Sequence, residues 1–174
     1  YLEQGSAGLA KEQAELALRL DPDLPDGYFV LGVANYRIGE YAASVENLVT
    51  ASETEGQFAT FYMEVFMALA DAHEALGDYE SALAAYSEAL KRGPTNALVY
   101  IERGLMFERA ERWYDAAADF AYALVFIDDN QEALDGLARI EQSSPEDYAR
   151  ARKDIDAVRA QLVPHAQVNT PTAE

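Results

Sequence analysis

Apolar residues recur along this chain at helical spacing in successive segments, broken by Gly, Pro, Asp and Asn. The spacing predicts helices over about 7–20, 25–38, 41–55, 58–76, 79–92, 96–110, 113–127, 131–141 and 145–162. The first of these rests on Leu9, Leu16 and Leu20, with little helical signal before Gly5. The last has clear punctuation: Ser144 reads as an N-cap, Pro145 as the first helical residue, and Glu146 and Asp147 as first-turn acids. It then sets Tyr148, Ala151, Ile155, Val158 and Leu162 on one face and charges on the other, as a helix that ends a stack requires. Val163–Glu174 is polar, holds two prolines and reads as a tail.

The segments repeat. Tyr28-Phe29-Val30-Leu31-Gly32 aligns with Phe66-Met67-Ala68-Leu69-Ala70 after 38 residues and with Tyr100-Ile101-Glu102-Arg103-Gly104 after another 34. The same offsets align Gly39-Glu40-Tyr41 with Gly77-Asp78-Tyr79 and Glu111-Arg112-Trp113. They also align Ser44 with Ala82 and Ala116, Leu48 with Tyr86 and Phe120, and Ala51 with Ala89 and Ala123. A backward step of 34 adds Ala10, Ala14 and Ala17, so the chain is expected to begin inside a repeat, with more repeats upstream. Small residues at Gly32, Ala70 and Gly104 predict close helix approach, and the aromatics at Tyr41, Tyr79 and Trp113 are expected to fill space near each turn. A helix pair with one apolar stripe must stack on another to bury it.

Phe66, Leu69, Ala70, Gly77, Tyr79, Ala82, Tyr86, Ala89 and Pro94 carry a pattern that resembles the tetratricopeptide-repeat (TPR) family, over roughly residues 1–130. Asn35 and His73 depart from it where an aromatic is usual, Arg103 replaces a Leu, and four extra residues separate the first two full units. The resemblance implies an all-α, right-handed helical-repeat solenoid of stacked antiparallel helix pairs with a C-terminal capping helix. Its expected divisions are a partial repeat (1–24), full repeats (25–62, 63–96 and 97–130), a degenerate repeat with the capping helix (131–162) and the tail (163–174).

In this family the first helix of each pair lines a concave groove where partners bind. Carried onto this chain, the groove positions are Phe29, Val33, Tyr36, Glu64, Met67, Asp71, Glu74, Leu98, Ile101, Glu102, Leu105, Glu108 and Arg109. They form an apolar strip edged by carboxylates, suited to an amphipathic helix or extended peptide with apolar anchors and Lys or Arg. The alternative is that these apolar residues pack on one another or on the chain's own tail. Members that clamp a chaperone's C-terminal carboxylate use Lys, Asn and Arg. Phe29, Val33, Ala68, Leu98 and Glu102 stand in those places here, so a chaperone tail is not the expected partner. Phe58, Phe61 and Tyr62, next to the insertion, offer a second surface for a partner or a second copy, or else bury against the preceding pair.

Composition narrows the rest. With 31 acidic against 13 basic side chains, the 174 residues carry a net charge of −18. Nucleic-acid and anionic-membrane partners both need a basic face, so neither is expected. The 50% hydrophobic content, with 32 alanines, argues for a folded helical chain rather than a disordered acidic one. Without cysteine there is no disulfide framework and no thiolate chemistry. The longest uncharged run in the repeats, Gly27–Tyr36, is too short to cross a bilayer, and the compartment stays open.

No nucleophile motif or phosphate-cradling loop is present, and His73 and His165 are the only histidines. Neither enzyme activity, a metal nor a cofactor is expected. The expected function is a non-catalytic protein–protein interaction scaffold that binds in its concave groove, with self-association a further option. The alternative is a regulatory or assembly segment of a larger enzyme or membrane-associated complex.

Overall fold

A computed structural model describes residues 2–53 and 62–162. Among these residues the chain is entirely helical: α1 (Leu2–Leu20), α2 (Pro25–Ile38), α3 (Tyr41–Glu53), α4 (Tyr62–Ala75), α5 (Tyr79–Arg92), α6 (Ala97–Arg109), α7 (Trp113–Phe126), α8 (Gln131–Ser143) and α9 (Pro145–Leu162). Each helix packs on the next in the chain, α2 also touches α4, α6 touches α8, and α9 reaches back to α7. The result is an all-α helical-repeat solenoid in which α2, α4, α6 and α8 are the first helices of successive pairs.

The helix boundaries have local causes. Asp78, Asn96 and Asn130 cap α5, α6 and α8, their side chains accepting backbone N–H groups at 3.0–3.4 Å. The turn inside each full repeat places one residue in the left-handed region: Gly39 (φ 87°), Gly77 (φ 76°) and Glu111 (φ 55°). The residue after it donates its N–H back to the carbonyl of Asn35, His73 or Phe107, closing the same turn three times. Glu111 holds that geometry without glycine's freedom, at a cost of roughly 1–2 kcal/mol.

Close approach comes from the small residues. A Cβ on Gly32 would lie 2.6 Å from Leu48 Cγ, and the Ser44 hydroxyl donates to the Gly32 carbonyl at 2.8 Å. The fully buried Phe120 ring lies between two glycines. A Cβ would come within 3.0 Å of it from Gly104 on α6 and within 2.5 Å from Gly136 on α8. One aromatic ring therefore fills the space where α6, α7 and α8 meet.

Arg103, where the repeat pattern has Leu, pairs with a buried acid. Its Nε and Nη2 donate to the two Asp119 oxygens at 2.7 and 2.8 Å, and its Nη1 donates to Ser87 Oγ at 2.9 Å. Three helices, α5, α6 and α7, are joined at this point. Burial pushes the Asp119 carboxyl up, and the Arg103 hydrogen bonds pull it back.

Three expectations need correction. Leu9, Leu16 and Leu20 are not the buried stripe of the first helix; they face outward, and α1 packs through Ala7 and Ala14 instead. That helix also starts at Leu2, earlier than its leucine pattern suggested. Tyr79 is exposed rather than filling a turn, whereas Tyr41 meets Tyr36 with ring centroids 5.6 Å apart. At the other end Ala151 and Ile155 are buried as expected, and Tyr114 donates to Asp154 at 2.8 Å to tie α9 to α7. Val158 and Leu162 have side chains outside the described residues, as does the whole tail.

Stability measurements at three positions follow from this packing. Gly8 on α1 has open space around it, so Gly8→Ala should stabilise by up to about 1 kcal/mol in a denaturant titration. Gly136→Ala should destabilise by about 1–3 kcal/mol despite the same gain in helix propensity, because the Phe120 ring has nowhere to go. Arg103→Leu strands a buried carboxylate and should cost about 3–5 kcal/mol, most of it recovered in Arg103→Leu/Asp119→Leu.

Candidate functional site

The face expected to line the groove runs along α2, α4, α6 and α8, of which α2 touches α4 and α6 touches α8. Between the first two of these helices Val33, Tyr36 and Arg37 face Ala68 and Asp71 across a hollow of about 190 Å³. Phe29 and Val33 also border a larger hollow of about 440 Å³ shared with Ser6, Ala7 and Ala10 of α1. Tyr36 and Leu98 are exposed, and Met67 and Leu105 are half-buried. Ile101 does not belong to this surface. It is 2% exposed, because α6 is covered by α5, α7 and α8 together and its apolar stripe is correspondingly wide.

The acids divide into paired and unpaired. Glu74 forms an ion pair with Arg109 on the neighbouring inner helix. Glu108 accepts a bidentate pair from Arg139, both distances 2.7 Å. These two carboxylates are therefore largely neutralised, as is Arg109.

Asp71 accepts a hydrogen bond from the Tyr86 hydroxyl at 2.8 Å. Burial nonetheless holds its carboxyl above the ordinary range, with the Tyr86 bond opposing. Glu102 is raised by burial, then by the charges of Asp71 and Glu132. Tyr36 is raised by burial and by the Asp71 charge, and Tyr86 is raised strongly by burial and the same carboxylate. Asp71 on α4 and Glu132 on α8 thus place negative charge on either side of Glu102 on α6. Among the described residues, one Glu64 carboxylate oxygen is also buried without a hydrogen-bond partner.

Tyr86 and Glu132 were not singled out as groove residues. Tyr86 carried a signal: it stands where the other units have Leu48 and Phe120, and a buried phenol in an apolar position needs an acceptor. Glu132 had none, since its link to Glu102 exists only across two helices. Phe58 and Phe61 lie outside the described residues, and Tyr62 opens α4 with its side chain outside them. His73 is mostly buried, its Nδ1 3.4 Å from Asp78 across the turn. Among the described residues no group of three His, Cys, Asp or Glu side chains could hold a metal ion, and no helix is long and apolar enough to cross a membrane.

Residues 63–106 match the tetratricopeptide repeat family model. No curated protein sequence matches the chain. Among solved structures it is similar to MamA at 16% identity and a TM-score of 0.73, over 90% of this chain and 92% of that one. It is also similar to TTC0263, a thermophilic TPR protein of Thermus thermophilus, at 22% identity and a TM-score of 0.60, over 91% and 92%. A chain of the APC/C hetero-tetramer Cut9–Hcn1 matches at 19% identity and a TM-score of 0.69, over 80% of this chain. The chain spans only 27% of that one. Residues 63–106 thus carry a tetratricopeptide repeat, and the helix pairs on either side share the fold of TPR structures.

Proposed function

We propose that the chain is a non-catalytic interaction module that holds a peptide or helix of another protein along its inner face. The observation that carries this reading is Glu102, half-buried between Asp71 and Glu132, raised first by burial and then by their charges, with no basic partner among the described residues. A Lys or Arg brought in by a partner would relieve that repulsion, and Tyr36, Met67, Leu98 and Leu105 offer it apolar contact. The preferred partner segment is therefore basic, with apolar anchors.

A second reading, an assembly segment within a larger complex, is supported by the Cut9–Hcn1 likeness. That relative is described as part of a hetero-tetramer, and this chain corresponds to about a quarter of its length. The two readings share the groove and differ in whether the bound segment belongs to a permanent partner.

Peptide display against the immobilised chain should enrich sequences with apolar anchors and Lys or Arg, in a salt-sensitive manner. Tyr36→Glu/Leu105→Glu should abolish that enrichment while leaving helicity and melting largely intact. Retained binding, or enrichment of acidic sequences, would sink the groove assignment.

A pH titration tests the charges around Glu102 without any partner. A carboxyl raised on folding favours the folded state when protonated and disfavours it when ionised, so its penalty grows as pH rises through the carboxylate range. Glu102→Gln should therefore raise the melting temperature at neutral pH, and the gain should vanish in acid where the wild-type carboxyl is already protonated.

A further inference from the structure

The middle repeat departs from its neighbours in two linked places. Asp71 of α4 takes the register position that Val33 holds in α2 and Leu105 in α6. Tyr86 of α5 takes that of Leu48 and Phe120. The two polar groups meet, the Tyr86 hydroxyl donating to Asp71 Oδ1 at 2.8 Å. Tyr86 is fully buried and this bond satisfies it. Asp71 is only half-buried, and among the described residues its second oxygen accepts no hydrogen bond. A phenol needs one acceptor, which a neutral amide would supply, so the core does not require the charge on Asp71.

That charge borders a cavity. Asp71 lines the hollow of about 190 Å³ between α2 and α4 together with Val33, Tyr36, Arg37 and Ala68. Ala68 leaves the space open, since the same register holds the larger Val30 in α2 and Glu102 in α6. Val33 and Ala68 supply apolar walls. The Tyr36 ring, set against Tyr41 with centroids 5.6 Å apart, supplies an aromatic one on which a cation is favoured. With Oδ1 taken by Tyr86, Asp71 offers one oxygen rather than the two that a guanidinium fork engages, and this suits a compact ammonium on a thin apolar stem. Its carboxyl responds to burial and to the Tyr86 bond, and Arg37, exposed at the rim, forms no ion pair with it. Glu102 feels the Asp71 charge from α6, so negative potential extends beyond the hollow to the next repeat.

Taking this face as the partner groove proposed above, we infer that the hollow holds one lysine side chain of the bound segment. Its stem lies along Val33, Ala68 and the Tyr36 ring, and its ammonium meets the free oxygen of Asp71. Arg37 stands at the rim as the one opposing charge.

Peptide display run in parallel against the wild-type chain and Asp71→Asn tests this. The wild type should select peptides with lysine fixed at one position relative to the apolar anchors, and arginine should replace it poorly. Asp71→Asn keeps an acceptor for Tyr86, so it should retain wild-type helicity and still select the apolar anchors, while the fixed lysine is lost. For a synthetic peptide from the wild-type pool, replacing that lysine with methionine should weaken binding to the wild type by about tenfold in calorimetry, and leave binding to Asp71→Asn unchanged. Ala68→Leu fills the hollow without touching the carboxylate and should act as Asp71→Asn does. Arg37→Ala should tighten binding of the lysine peptide. Anchors enriched without a fixed lysine, arginine serving equally well, a lysine contribution that survives Asp71→Asn or Ala68→Leu, or weaker binding in Arg37→Ala would each overturn the pocket and leave the groove standing. Failure to enrich any peptide would overturn both.

Discussion

The stack depends on how closely its helices approach, and nowhere more than around Phe120. A ring clasped between Gly104 and Gly136 fixes α6, α7 and α8 with respect to one another, since moving any of them opens a void or creates a clash. Gly32 against Leu48 does the same one repeat earlier with a smaller partner. The spacing of these small residues sets the spacing of the inner helices, and hence which side chains of α2, α4, α6 and α8 stand beside each other on the concave face. The face that these helices share is a product of core packing before it is a product of surface chemistry.

Charge is handled differently inside and along that face. Arg103 and Asp119 are buried together and saturate one another across two helices. Glu74 with Arg109 and Glu108 with Arg139 pair between neighbouring repeats at the groove's edge, and such half-exposed pairs add little stability while ordering long side chains. What is left is concentrated in Asp71, Glu102 and Glu132. The large net charge of the sequence reduces at this face to the partly buried Asp71 and Glu102, with the exposed Glu132 beside Glu102.

Much of the fold was legible because it repeats. Small residues, turn glycines and caps recur in phase, so the helices from α2 onward were placed to within a few residues, with the start of α4 depending on residues 54–61 that lie outside the described structure. The groove was only partly legible. Ile101 shares the helical face of Leu98 and Leu105 in sequence, and only the number of helices packed around α6 decides that it is core. Glu74 and Glu108 read as free acids because their arginine partners, Arg109 and Arg139, come from other helices at distances in sequence that carry no regular signal. The first helix misled for a related reason. A leucine stripe shows that a surface seeks cover, and it does not show whether the cover lies within the same chain.

The alanine face of α1 has a consequence for the order in which the molecule comes apart. Nearest-neighbour contacts supply nearly all the cohesion of a repeat stack, so each helix is held according to what its own interface buries. At α1 that interface rests on Ala7, Ala14 and Leu18, while three leucines worth roughly 1.5–3 kcal/mol apiece if buried stay largely exposed. Amide exchange would therefore be faster across the α1–α2 contact than around α6, α7 and α8, where a fully buried ring and a buried ion pair join three helices.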